Sequence, residues 1–270
     1  VRNLVHLSDL HFGKADNQLV KAIAAEVRAI APDLLVVSGD LTQRARRHEF
    51  LQARAFLDSL PGPRLVVPGN HDVPLWNVFA RALAPLSRYK RYIEADIDPF
   101  YADSEVAVVG INTARSLTIK DGRINVRQLG AAAEKFAHLS DDITRIVVTH
   151  HPFEGLDVEA DDGIVGRASL AMNAFSRSDV DIILSGHQHV HRAGSSARRY
   201  LIDGYAALLI QAGTAVSSRL RQGANSFNII CIDRPEISVE CRGWRSPQGG
   251  FETSARYSFR HGPDGWRLLD

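Results

Sequence analysis

Residues 34–40 read Leu34-Leu35-Val36-Val37-Ser38-Gly39-Asp40, a short apolar run that stops on a glycine and a carboxylate. Such a run, bounded by turn residues, is the pattern of a strand buried on both faces. The chain repeats it four more times. Apolar residues at 4–5 precede Asp9-Leu10-His11, and those at 65–67 precede Gly69-Asn70-His71-Asp72. Those at 146–148 precede His150-His151-Pro152, and those at 182–184 precede Gly186-His187-Gln188-His189. Helical patterns lie between. Leu19, Ile23, Val27 and Ile30 put an apolar stripe on a helix beginning at Asp16 or Asn17, and a second helix over 46–60 is stopped by Pro61-Gly62-Pro63. Strand and helix in alternation predict a parallel α/β sheet, which binds its ligands where the strands end. Five strand ends carrying carboxylate, imidazole or carboxamide predict one shared site. Oxygen and nitrogen donors without thiolate suit manganese, iron or zinc.

Composition narrows the field. The chain has 270 residues, enough for a sizeable core without a disulfide framework. Its two cysteines, Cys231 and Cys241, lack metal-ligand spacing and read as reduced core residues. The formal net charge is +1, so there is no general electrostatic footprint for nucleic acid. No apolar run approaches the ~20 residues of a membrane helix. No N-terminal secretory signal is visible, and a cytoplasmic location is the default expectation.

The five clusters, in this order, resemble the calcineurin-like metallophosphoesterase superfamily. Its pattern runs Asp-x-His, Gly-Asp, Gly-Asn-His-Asp/Glu, His-x-Pro and Gly-His-x-His, and here it extends from residue 9 to residue 189. The spellings His6-Leu7-Ser8-Asp9-Leu10-His11-Phe12 and His150-His151-Pro152 are most similar to its cyclic-nucleotide and glycerophosphodiester phosphodiesterase branch. The resemblance implies a four-layer αββα sandwich with a dinuclear metal site at strand ends. It implies that Asp40 bridges two divalent or mixed-valence ions, that Asp9, His11 and His189 complete one site, and that Asn70, His150 and His187 complete the other. It makes His71 the residue that stabilises the transition state or protonates the leaving oxygen. Asp72 is expected to accept a hydrogen bond from His71 and fix its tautomer. The expected reaction is in-line attack by a metal-activated hydroxide with no covalent enzyme intermediate.

Any one cluster alone also reads as a turn or helix cap, since Asp and Asn favour both. His151 competes with His150 as the ligand, with the His-x-Pro spacing favouring His150. Asn112 and Arg115 follow a strand end and are candidate substrate-binding residues, as are Arg219 and Arg221. Residues 1–200 form the expected core, and the alternating tail, 201–270, is expected to complete the second sheet within the same domain. Residues 74–101, with Trp76, Phe79, Tyr89 and Tyr92, interrupt the α/β rhythm. They read either as amphipathic helices covering the core or as a cap or dimer contact.

These readings point to a phosphodiester hydrolase acting on a small molecule such as a cyclic nucleotide or a glycerophosphodiester. The alternatives are a DNA-repair-type nuclease, a nucleotide-lipid pyrophosphatase, a phosphomonoesterase, or a non-catalytic metal-binding scaffold. Nucleic acid is not the favoured partner, and homo-oligomer formation is open.

Overall fold

Along the chain the first elements are β1 (Arg2–Leu7), α1 (Asn17–Ile30), β2 (Leu34–Ser38), α2 (Arg47–Asp58), β3 (Arg64–Val67), α3 (Val78–Leu83), α4 (Ser87–Tyr92), β4 (Phe100–Ala102) and β5 (Val106–Gly110). Then come α5 (Val126–Phe136), β6 (Thr144–Val148), α6 (Ala168–Ser176), β7 (Ile182–Ser185), β8 (Arg192–Ser195) and β9 (Leu208–Gln211). The chain closes with β10 (Ser226–Asp233), β11 (Glu236–Arg245), β12 (Gly250–Gly262) and β13 (Gly265–Leu268). This computed structural model describes residues 1–75, 78–116, 118, 120–158, 163–218, 224–245 and 249–269. Trp76, Arg219 and Arg221 lie outside the described residues.

Two mixed sheets face each other. One has the order β13-β12-β11-β10-β1-β2-β3, the other β4-β5-β6-β7-β9-β8. The apolar runs are the parallel centres of these sheets, β1-β2-β3 in one and β5-β6-β7-β9 in the other. Alternate residues of each run enter different cores, which is why the runs are apolar throughout. Leu4, Val36, Val67, Val108, Ile146 and Leu184 meet between the sheets. Val5, Leu35 and Val37 face outward onto Ile23, Val27, Phe50 and Leu57 of α1 and α2. Val109, Val147 and Ile183 face the other way, onto Leu129 and Phe136 of α5 and Met172 and Phe175 of α6. The result is helix, sheet, sheet, helix.

The tail differs from its expectation. Strand β9 joins the second sheet, but β10 pairs antiparallel with β1, and β11, β12 and β13 continue outward from it. The physical reason is that β2 occupies only one edge of β1. The other edge would leave a row of unpaired peptide groups in the core, and β10 satisfies them.

Residues 74–101 divide into two parts. The α4 half is packed: Leu86 and Tyr89 join the core under α2, and the Tyr89 hydroxyl donates to the Val66 carbonyl at 2.8 Å. Strand β3 is a sheet edge, so this hydroxyl supplies the partner that a further strand would have given. The α3 half instead carries Phe79 and Leu83, 82% and 83% exposed. No helix among the described residues is long and apolar enough to cross a membrane. Tyr89→Phe should lower stability by about 1–2 kcal/mol, the cost of leaving a buried carbonyl unpaired. Urea unfolding checks this, and an unchanged midpoint would mean that α4 is not anchored through that bond.

Candidate metal centre

Each cluster lies just beyond the end of a parallel strand, and there the backbone turns sharply. Asp9, His11, Asp40, His187 and His189 all have positive φ, between 47° and 74°. Side chains with a Cβ avoid this region at about 1–2 kcal/mol per residue, so five cases at one place mark stored strain. Hydrogen bonds between the turns hold them. Asp9 N–H donates to the Gly39 carbonyl at 3.2 Å, His11 N–H to the Asp40 carbonyl at 2.9 Å, and Gly186 N–H to the His150 carbonyl at 3.0 Å. The loops crowd so closely that two glycines have no room for a side chain. A Cβ on Gly69 would lie 2.1 Å from Asp40 Oδ1, and one on Gly186 would lie 1.8 Å from Ser8 Oγ.

The turns bring all seven expected ligands together, in two groups around one carboxylate. In the first, Asp9 Oδ1 is 3.2 Å from His189 Nε2 and 3.6 Å from His11 Nε2, and the two imidazole nitrogens are 3.3 Å apart. In the second, His150 Nε2 is 3.1 Å from Asn70 Oδ1 and 3.2 Å from His187 Nδ1. Between the groups, Asp40 turns Oδ2 toward His11 Nε2 at 3.8 Å and Oδ1 toward His150 Nε2 at 3.4 Å. Ligands ~2.1 Å from one ion at angles of 90–110° stand about 3.0–3.4 Å apart, which matches these separations except the two from His11 Nε2 to the carboxylates, 3.6 and 3.8 Å. Asp9 Oδ1 is buried and has no hydrogen-bond partner among the described residues. A buried carboxylate oxygen left in that state costs free energy unless a cation meets it. The donor set therefore fits two ions.

A second layer of contacts aims these groups. Ser8 Oγ and the His187 N–H donate to Asp9 Oδ2 at 2.7 and 2.9 Å, which turns Oδ1 into the site. His150 Nδ1–H donates to the Ser38 carbonyl at 2.8 Å and leaves the Nε2 lone pair for the cluster. His71 is half-buried, and its Nδ1–H donates to the Gln43 carbonyl at 2.9 Å, so Nε2 is the nitrogen left for chemistry. The sequence motifs assign no role in the site to Ser8, Ser38 or Gln43. Only Ser8 had a signal, as the neighbour of Asp9; the other two act through backbone carbonyls, which carry no side-chain identity.

Two expectations, for Asp72 and for Asn112 and Arg115, meet a different geometry, and His151 has its own partners. Asp72 does not hold His71. Its oxygens accept from the Leu41, Thr42 and Gly69 N–H groups at 3.2, 2.9 and 3.0 Å and from the Thr42 hydroxyl at 2.9 Å. It clamps the Asp40 and Asn70 loops to each other. His151 has both ring nitrogens engaged, Nδ1 by the Thr113 hydroxyl at 2.7 Å and Nε2 by the Lys120 carbonyl at 2.8 Å, although it lies beside His150 and His187. Asn112 and Arg115 make their hydrogen bonds to their own loop and to α5. Asn112 Oδ1 accepts from Ala114 N–H, and Arg115 donates to the Asn112 and Ala114 carbonyls and to Gln128 Oε1.

Burial and charge set the protonation states before any cation arrives. Burial raises the Asp40 carboxyl, but the charges of His150 and His71 outweigh it and hold Asp40 well below the usual range. Burial lowers His150, but the Asp40 carboxylate pushes it up to about 9. Burial and the His150 charge bring His187 down to about 4. Burial and the Asp40 charge raise Asp72 to about 6, against the pull of its hydrogen bonds.

A family model described as calcineurin-like phosphoesterase matches residues 2–191. A glycerophosphodiester phosphodiesterase, GpdQ, of Enterobacter lignolyticus is 39% identical over 80 residues, 26% of this chain and 29% of that protein, so the match spans under a third of its length. A probable cyclic nucleotide phosphodiesterase of Synechococcus is 23% identical over 199 residues, 69% of this chain and 73% of that protein. Among solved structures, the purple acid phosphatase PPD1 of yellow lupin superposes with a TM-score of 0.70 at 14% identity, over 95% of this chain and 53% of that one.

An ion entering the second group must displace the His150 proton. From near neutral pH to about 9, affinity for a divalent ion should therefore rise by up to about tenfold per pH unit and then level off. Chelator competition at several pH values measures this, and a flat profile would mean that His150 is already neutral.

Proposed function

Because the chain belongs to the calcineurin-like phosphoesterase family, we propose that it is a metal-dependent phosphodiesterase acting on a small substrate of the cyclic-nucleotide or glycerophosphodiester kind. The observation that carries the reading is Asp40, which presents one oxygen to each of two convergent ligand groups. Asp9, His11 and His189 would hold one ion and Asn70, His150 and His187 the other, with manganese, iron or zinc matching the donors. Two such ions neutralise phosphate charge, orient the phosphoryl group and lower the pKa of a water.

The remaining roles fall to the protein. Asn70 contributes a neutral amide oxygen, which keeps the negative charge facing an anionic substrate low. His71 stands edge-on to the His11 ring, with 4.8 Å between ring centroids, and its N–H anchors on Asp40 Oδ1 at 2.8 Å. With Nδ1–H committed to Gln43, protonated His71 has one remaining N–H, on Nε2, for the oxygen of the departing alcohol. Water adds to phosphorus, the P–O bond breaks, and the leaving oxygen takes that proton. Asp72 acts indirectly, by fixing the loops that carry Asp40 and Asn70. The choice of diester over monoester is supported by the names of the two relatives.

His71→Ala should keep both metals and the fold but lose about 10²–10⁴-fold in turnover, the usual contribution of a positioned acid or base. Metal analysis and hydrolysis of bis(p-nitrophenyl) phosphate against p-nitrophenyl phosphate, after manganese reloading, check this. Loss of metal in the variant would make His71 a ligand, and a preference for the monoester would move the protein to phosphomonoester chemistry.

A further inference from the structure

The segment that follows the Asn70-His71-Asp72 loop carries one feature that the ligand groups do not use. Helix α3 begins six residues after Asp72 and presents Phe79 and Leu83, one turn apart, to solvent. Large side chains this exposed on adjacent turns call for an explanation, unlike scattered single ones. Leu83 borders a cleft of ≈450 Å³ whose apolar walls include Val73, Leu86, Ile97 and Ala114. The cleft is lined by residues that neighbour the ligand loops along the chain and in the sheet. Val73 directly follows Asp72, and Asn112, also on its wall, ends the strand loop next to the one that carries His150.

The helix is fixed in place. Arg81 Nε donates to the Ser116 carbonyl at 2.6 Å and Nη1 to the Pro74 carbonyl at 3.1 Å, and Nη2 reaches the Thr118 carbonyl. Those bonds tie α3 to the loop on the far side of the cleft. The rim is cationic, with Lys90 and Arg115 on the wall. Among the described residues, no carboxylate lies within ion-pair distance of Lys90, Arg81 or Arg115. Arg115 also feels the repulsion of Arg123 and Arg167, after burial the chief influences that lower its pKa, against the pull of Asp98. An apolar trough with a positive rim beside a phosphate-binding centre is complementary to a ligand that is anionic at one end and apolar at the other.

We propose that the substrate is an amphiphilic phosphodiester whose alkyl or acyl chain lies in the cleft between α3 and the 112–116 loop. The proposal rests on the phosphodiesterase reading above and gives it a substrate class. The test uses the manganese-loaded protein with methyl and octyl p-nitrophenyl phosphate diesters, below micellar concentrations. Water adds to phosphorus, p-nitrophenolate leaves, and the alkyl phosphate remains.

The octyl ester should be preferred in kcat/KM by about 60-fold, the gain from burying three methylenes at about fourfold each. Leu83→Asp, at an exposed position, should fold normally and cut the octyl-over-methyl preference to about threefold or less. Ala84→Trp, filling the cleft from its exposed edge, should do the same. Turnover of the methyl ester with no octyl preference, or a preference that survives both variants, would overturn the cleft assignment and leave the phosphodiesterase reading standing. Hydrolysis of the monoester alone would overturn that reading and the assignment with it. A wild-type dimer that Leu83→Asp dissociates would assign the α3 face to a second copy of the chain instead.

Discussion

A carboxylate buried among imidazoles is the constraint on which the structure turns. Asp40 is almost fully buried, as are Asp9, His11 and His150. Burying so many polar atoms is costly unless each is matched. Some are matched by protons: the Asp40 charge holds His150 protonated to about pH 9. The Asp9 oxygen aimed at His11 and His189 has no such hydrogen-bond partner. Cations at both groups would meet the inward-facing oxygen and nitrogen atoms at once, whereas a proton serves one pair at a time. The buried donors thus converge in an arrangement that two cations would match.

The scaffold exists to deliver those atoms. Parallel strands end side by side, so five loops that are distant in sequence arrive at one place. The loops then adopt left-handed turns at five of the expected ligand positions, a cost that the continuing ladder of backbone bonds and the Asp72 clamp offset. Close approach explains Gly69 and Gly186 better than a sharp turn does, since neighbouring side chains occupy the space a Cβ would need.

Much of this was legible in the sequence because strand ends and ligand chemistry are both written in side chains. The apolar runs gave the parallel strands, the stripe of Leu19, Ile23 and Val27 gave α1, and the seven expected donors marked where the loops converge. What escaped was whatever depends on backbone groups or on partner choice. The Ser38 and Gln43 carbonyls orient His150 and His71, and any residue has a carbonyl. Asp72 looks like a partner for its neighbour His71, but three N–H groups brought near by folding bind it first. Alternation in the tail marks strands without saying which sheet they join. Strands β4, β8 and β13 are edge strands of three or four residues, too short for a period to register. The 74–101 segment was ambiguous because it is two things, a core helix pinned by Tyr89 and an apolar face left in solvent.

The most direct test of the central claim is the anomalous scattering of manganese in crystals of the loaded protein. Two peaks ~3.5–4 Å apart are expected, with Asp40 between them, His11 and His189 on one, and His150 and His187 on the other. A single peak, or two ions with His151 in the coordination sphere in place of His150, would contradict that claim.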